Sequence, residues 1–149
     1  MEFQTPVQQK CYEKITPILK ELFGEAFVHP DEKYPLFWLT MGSAEIRITV
    51  WPYGDDESTI GVYSAVVRGA ENTPDLMQYL LKANADMRFG AFGLASDGDI
   101  VFQHTIMGDT CDKPELKSSV LAVAYTADAK DDEIIAKFGG QRAADVKRP

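Results

Sequence analysis

The apolar positions of the chain change period several times, and each change predicts a new element. Between Thr5 and Gly24 they recur every three or four residues, which indicates a helix with one buried stripe. The stripe comprises Val7, Cys11, Ile15, Ile18, Leu19 and Leu22. Thr5 and Pro6 are typical of a helix start and Gly24 of a helix end, whereas Pro17 predicts a bend or a split.

Three runs with strand character follow this helix. Residues 36–41 are aromatic and aliphatic and end at a Gly-Ser turn, and residues 44–50 alternate apolar with polar side chains. Residues 59–68 are rich in Val, Ile and Tyr. Short polar turns separate the runs, so we expect an antiparallel meander.

A second helix and a hairpin come next. Asn72 or Thr73 caps the helix, with Pro74 in its first turn. Residues 88–94 and 99–107 then flank an Asp-Gly turn, which is typical of a hairpin. Bulky side chains occur on both sides of this hairpin, which indicates that helices or a partner cover both faces.

The last helix opens with a capping box formed by Asp112 and Glu115, and a Gly-Gly pair at 139–140 ends it. The acidic cluster at 128–133 fits the start of a separate helix equally well, so continuity and a break are both open. An uninterrupted helix would span about 26 residues, or ~39 Å. Dimerisation is one way to bury such a long element.

These elements predict an α+β fold with an antiparallel five-stranded sheet and three helices in the order α-βββ-α-ββ-α. We expect one domain over residues 1–140 and a flexible tail over residues 141–149. The 15 Lys and Arg residues against 23 Asp and Glu give a formal charge of −8, which disfavours nucleic acid and anionic membranes as partners. Neither a signal peptide nor a membrane span is predicted, so we expect a cytoplasmic protein.

No set of residues predicts a reaction, a cofactor site or a metal site. Cys111 precedes a helix start and His104 lies seven positions before it, but no carboxylate is implied that would orient the pair. Adding Cys11 and His29 does not give the short paired spacings of zinc sites. The acidic clusters, one of which contains Asp97, fall in turns and helix starts, where solvated carboxylates are expected. Both cysteines are expected to be reduced thiols.

The order of elements, the size and the acidic balance resemble the type III secretion chaperone fold, and more closely the bacterial YbjN-like proteins. The most similar stretches are residues 73–80, 87–94 and 97–102 and the helix after Asp112. The resemblance implies a homodimer that holds an extended segment of a client protein against apolar grooves, mainly along the first helix and the neighbouring strands. It implies no catalytic signature.

An extended peptide needs exposed apolar side chains or a free sheet edge. The candidate peptide-binding residues are Phe37, Trp38, Leu39, Trp51 and Tyr53. Ordinary core packing of these residues is the alternative. Three functions are therefore open: a non-enzymatic module that binds a protein or peptide client, a regulatory or scaffolding protein that binds one folded partner, and an enzyme whose site lies among residues interpreted as structural.

Overall fold

Residues 1–146, which the computed structural model describes, form three α-helices, two 3₁₀ turns and one seven-stranded antiparallel sheet. The helices are α1 (Pro6–Phe23), α2 (Pro74–Asp86) and α3 (Lys113–Phe138). The strands are β1 (His29–Pro30), β2 (Leu36–Met41), β3 (Ala44–Tyr53), β4 (Glu57–Arg68), β5 (Ala91–Leu94), β6 (Ile100–Met107) and β7 (Gln141–Arg142). The 3₁₀ turns cover Glu25–Phe27 and Ala143–Asp145.

The sheet has two strands more than the five predicted. Its spatial order is β1-β2-β3-β4-β6-β5, and β7 pairs with the end of β4. The predicted number was wrong because β1 and β7 have two residues each, too few to show a period of two. The three helices, the order of the five longer strands among them and the antiparallel pairing are confirmed.

The helices begin where their capping residues predict. The side chains of Thr5, Thr73 and Asp112 each accept a hydrogen bond from the backbone N–H three residues later, at 2.8–3.2 Å. Thr73, and not Asn72, is therefore the cap of α2. α1 is not split at Pro17, which lies on its exposed side while Ile15 and Leu19 remain buried against the sheet.

α3 is one continuous helix, which decides between the two alternatives left open by the sequence. The carboxylates in its second half bind neighbouring elements instead of starting a new helix. Asp128 accepts hydrogen bonds from the backbone N–H and the hydroxyl of Ser43, in the turn between β2 and β3. The same hydroxyl lies 2.7 Å from Asp131, and its single proton is donated to one of the two carboxylates at a time. Asp131 also accepts a hydrogen bond from Arg142 of β7. The acidic cluster thus attaches α3 to two separate parts of the sheet.

α1 and α3 pack against one face of the sheet, here called the covered face. Its side chains are fully buried and come from alternate residues of the central strands. They include Phe37, Ile46, Ile48, Ile60, Val62 and Phe102. The opposite face, here called the open face, has no helix over it within residues 1–146. Val101 is buried on that side, but Gln103 and Thr105 farther along β6 are exposed.

Part of the predicted tail has regular structure. Gln141 and Arg142 form β7, and the following 3₁₀ turn buries Ala143. The last residues of the predicted tail, 147–149, lie outside the described residues. Since β7 pairs with β4, the chain after α3 returns to the sheet and reaches the rim of the open face.

Candidate functional site

The open face carries a row of large side chains across the three central strands. Strand pairing places Arg47 of β3 opposite Trp38 of β2 on one side and opposite Tyr63 of β4 on the other. Trp51 lies four residues beyond Arg47 on the same strand and therefore on the same face. Trp38 is 37% exposed and Trp51 is 51% exposed. Two large indole rings thus remain accessible beside a central arginine.

The five residues proposed for peptide binding separate between the two faces of the sheet. Phe37 and Leu39 are buried, and the Phe37 ring stacks on Tyr12 of α1 with centroids 4.6 Å apart. Trp38, Trp51 and Tyr53 are exposed. Only these last three can contact a partner without unpacking the core, because successive strand residues point to opposite faces.

Arg47 is the residue of this surface that sequence reasoning missed, since it was interpreted only as one position on the wet face of a strand. Its guanidinium carbon lies 4.4 Å from the centre of the Tyr63 ring and 6.0 Å from that of the Trp38 ring. Both distances are within the range of a cation–π contact. The clustering of Arg47 with two aromatic rings follows only from the strand register, which brings residues 38, 47 and 63 together from three separate runs.

The open face is concave on both sides of Arg47. One depression, of about 520 Å³, extends from Arg47 through Thr49 to Trp51 and is bordered by Phe3 and Gln4 of the N-terminal segment. The other, of about 330 Å³, extends from Arg47 to Arg68 and is bordered by Ala143, Ala144 and Val146. A third and smaller depression reaches Gln103 of β6. Arg47 lines all three, and we refer to the three depressions together as the groove.

Hydrogen bonds to the covered side hold both borders of the groove. The amide of Gln8, at the start of α1, donates to the carbonyl of Val50 at 2.8 Å and accepts from the backbone N–H of Gln4 at 2.8 Å. Arg142 donates to Asp131 of α3 at 2.9 Å, directly before the residues that border the opposite end. The groove therefore depends on contacts that originate in the helical layer.

The residues considered for catalysis lack the properties of an active nucleophile. Cys111 and Cys11 are free and buried. Burial raises the pKa of the Cys111 thiol to about 11, so the thiol is protonated at neutral pH. Burial also raises the pKa of Cys11 and lowers that of His104. Residues 1–146 contain no cluster of three His, Cys, Asp or Glu side chains arranged to hold a metal ion.

Within the same described residues, none of the helices is both long enough and apolar enough to cross a lipid bilayer.

The fold has relatives among solved structures. A chain in the structure of the HopA1–SchA chaperone–effector complex superimposes with a TM-score of 0.62 at 11% identity, covering 85% of this chain and 99% of that one. An uncharacterised protein from Methanothermobacter thermautotrophicus superimposes with a TM-score of 0.59 at 18% identity, covering 85% and 97%. Such identities establish a shared fold alone.

Among curated proteins, none matches this sequence. A family model does match, and it is described as "T3SS (YopN, CesT) and YbjN peptide-binding chaperone 1". The match extends over residues 9–146, from the second turn of α1 to the end of the groove's border. It confirms the resemblance derived from the order of elements. The chain belongs to the family of T3SS and YbjN peptide-binding chaperones.

Proposed function

We propose that this protein is a non-enzymatic chaperone that holds an extended segment of a client protein on the open face of its sheet. One observation carries the proposal. Both tryptophans of the chain, Trp38 and Trp51, lie exposed along a groove that no helix of residues 1–146 covers. A folded protein usually buries such side chains unless a partner covers them.

The shape of the groove favours an extended client segment over a compact one. The groove is lined by successive open-face residues of β3, namely Glu45, Arg47, Thr49 and Trp51. An extended chain can place alternate side chains into such depressions, and the rings of Trp38 and Trp51 offer large apolar contact areas. Of the five residues suggested by sequence, the proposal retains Trp38, Trp51 and Tyr53, since Phe37 and Leu39 are buried.

The positions of the tryptophans provide a direct assay. Because Trp38 and Trp51 are the only tryptophans of this chain, tryptophan fluorescence reports on the open face when the client itself contains no tryptophan. Binding of an unfolded, chemically reduced protein should shift the emission to shorter wavelength as water leaves the indole rings. Trp51→Ala should weaken binding about tenfold or more, as expected for a central aromatic contact.

Tyr125 is the matched control for this experiment, because it is an exposed aromatic residue on the solvent side of α3. Tyr125→Ala should leave affinity unchanged. Equal affinity of the wild type and of both Trp38→Ala and Trp51→Ala would refute binding on the open face. Binding of one folded protein in place of unfolded ones would favour a regulatory or scaffolding role.

We further propose that the protein is a homodimer. Its support is three further exposed apolar residues in the segment that runs from α2 to the edge strand β5. They are Leu81, Phe89 and Leu94. Light scattering should give twice the monomer mass of 16.6 kDa, and Leu81→Glu should give the monomer. A monomeric wild type at micromolar concentration would contradict the proposal.

A further inference from the structure

Arg47 lies in the groove between two aromatic rings and has no carboxylate partner among residues 1–146. No Asp or Glu of residues 1–146 lies within 4.0 Å of its guanidinium, although acidic residues outnumber basic ones by 23 to 15. Its Nε atom is buried and has no hydrogen-bond partner. Arg68, at the far end of the same groove, also has a buried Nε atom without a hydrogen bond, but that atom lies 3.5 Å from a carboxylate oxygen of Asp99.

The guanidinium of Arg47 does not have hydrogen-bond acceptors for all of its N–H groups. The rings of Tyr63 and Trp38 stabilise its charge through their π faces, but they do not accept the N–H groups of the guanidinium fork. Arg47 lines the groove, so a ligand there that supplies an anionic acceptor to the guanidinium forms a charge-assisted hydrogen bond. A carboxylate matches the guanidinium best, because two parallel N–H···O bonds form at once.

We propose that Arg47 binds the side-chain carboxylate of an Asp or Glu in the middle of the client segment. This inference rests on the proposed peptide-binding function and specifies the chemistry of the client. The groove continues on both sides of Arg47, toward Trp51 and toward Arg68, so a bound chain passes the arginine instead of ending there. A side chain is therefore the source of the carboxylate, and a chain terminus is not.

The geometry also predicts what surrounds the acidic residue. Trp51 is four strand residues from Arg47, which corresponds to ~13 Å along β3. A client that runs along β3 therefore has an apolar side chain about four residues from its Asp or Glu, in contact with the Trp51 ring. Trp38 contacts apolar side chains next to the acidic residue, since it lies directly opposite Arg47 on β2.

This inference is tested by selecting binders from a displayed library of random twelve-residue peptides. Selected peptides that contain an acidic residue are then synthesised individually. The selected peptides are made with blocked ends and with Glu, Gln or Lys at the acidic position. The Glu form should bind wild type about tenfold more tightly than the Gln form, the value expected of a charge-assisted pair. The Lys form should bind more weakly than the Gln form. Arg47→Gln should remove the difference between Glu and Gln, and Arg47→Lys should retain part of it.

Lys117→Gln is the matched control because it removes an equal charge from an exposed position on α3, away from the groove. It should preserve the full preference for Glu. Urea unfolding of each variant verifies that the sheet remains folded.

Three other results would contradict the inference or the proposed function. Peptides that bind without a preference for an acidic residue, or with a preference that Arg47→Gln leaves intact, would overturn the role of Arg47 and leave peptide binding standing. Binding that requires a free C-terminus would overturn the assignment to a side chain. If no peptide binds, the proposed function fails and this inference fails with it.

Discussion

The two faces of the sheet are built from alternate residues of the same strands, yet they differ in nearly every physical property. Phe37 is fully buried and stacks on α1, whereas its neighbour Trp38 is exposed beside Arg47. On the covered face, each side chain fills space that the helices would otherwise leave empty. On the open face, large side chains such as Trp38 and Trp51 remain partly exposed. Stability and recognition can therefore be altered independently, although their residues are adjacent in sequence.

The largest expected effect comes from truncating, one at a time, two neighbouring residues of β2 that lie on opposite faces of the sheet. Phe37→Ala should lower the free energy of unfolding by about 3–5 kcal/mol, because it leaves a cavity in the core. Trp38→Ala should lower it by less, about 1–2 kcal/mol, since the ring is 37% exposed and its removal leaves no enclosed cavity. Urea denaturation measures both. Similar losses for the two variants would show that the faces are not energetically distinct.

The second prediction concerns a contact that joins the two faces. Asp131 is 3% exposed and binds both Ser43 and Arg142. Asp131→Ala should cost about 1–3 kcal/mol, because it removes the charge-assisted hydrogen bond between Arg142 and a buried carboxylate. It should also weaken peptide binding, since Arg142 precedes the residues that border the groove.

Asp132→Ala is the control for that experiment, because Asp132 also pairs with Arg142 but its side chain is 77% exposed. Its effect on urea denaturation should be under ~1 kcal/mol, as for other surface ion pairs. A cost equal to that of Asp131→Ala would show that burial of the carboxylate is not what matters.

The third prediction changes the open face without disturbing the covered one. Gly61 lies in the floor of the groove opposite Thr49, and a Cβ atom there would meet its nearest neighbours only at 3.9 Å. Gly61→Val should change stability by less than ~1 kcal/mol, because it removes a glycine from a strand and its Cβ atom has room at this position. Peptide affinity, measured by tryptophan fluorescence, should fall because the isopropyl group occupies the groove. Unchanged affinity would place the client elsewhere.

The contrast between the faces also explains what the sequence could predict. Caps such as Thr5 and Asp112 and the alternating run of β3 act locally, so they identified the helices and most strands correctly. The alternation of β2 side chains between the two faces could also have been predicted, since consecutive residues such as Phe37, Trp38 and Leu39 cannot all lie on one face. Treating them as one site ignored that rule.

Other features depend on contacts between distant segments, which periodicity does not encode. The position of Arg47 between Trp38 and Tyr63 requires the register of three strands. The continuity of α3 depends on partners for its acidic cluster, which Ser43 and Arg142 supply from elsewhere in the chain. The two-residue strands β1 and β7 exist only because longer strands are available to pair with them.

The smallest expected effect is a change in the pH dependence of stability, and it arises from a polar residue on the covered face. His104 of β6 pairs with Val62 and packs edge-on against Phe89, with centroids 5.6 Å apart. Burial lowers the pKa of His104, and the charge of Glu115 only partly opposes this effect. Below the unfolded pKa of about 6.5, the unfolded chain therefore binds more protons than the folded one, so protonation favours unfolding. This contribution to stability is fully present above that pH and decreases as the pH falls toward the lower folded pKa.

Urea denaturation of wild type and variants at pH 7.5 and pH 5.0 measures this contribution. The carboxylates are the same in all of these proteins, so differences between them report on the histidine. His104→Gln should lose less stability than wild type between the two pH values, because the neutral amide does not titrate. His29→Gln, which alters an exposed residue of β1, should behave as wild type does. The reverse order would mean that the folded protein stabilises a charged imidazole at position 104. That end of the covered face would then resemble the open face, where the cation of Arg47 lies against aromatic rings.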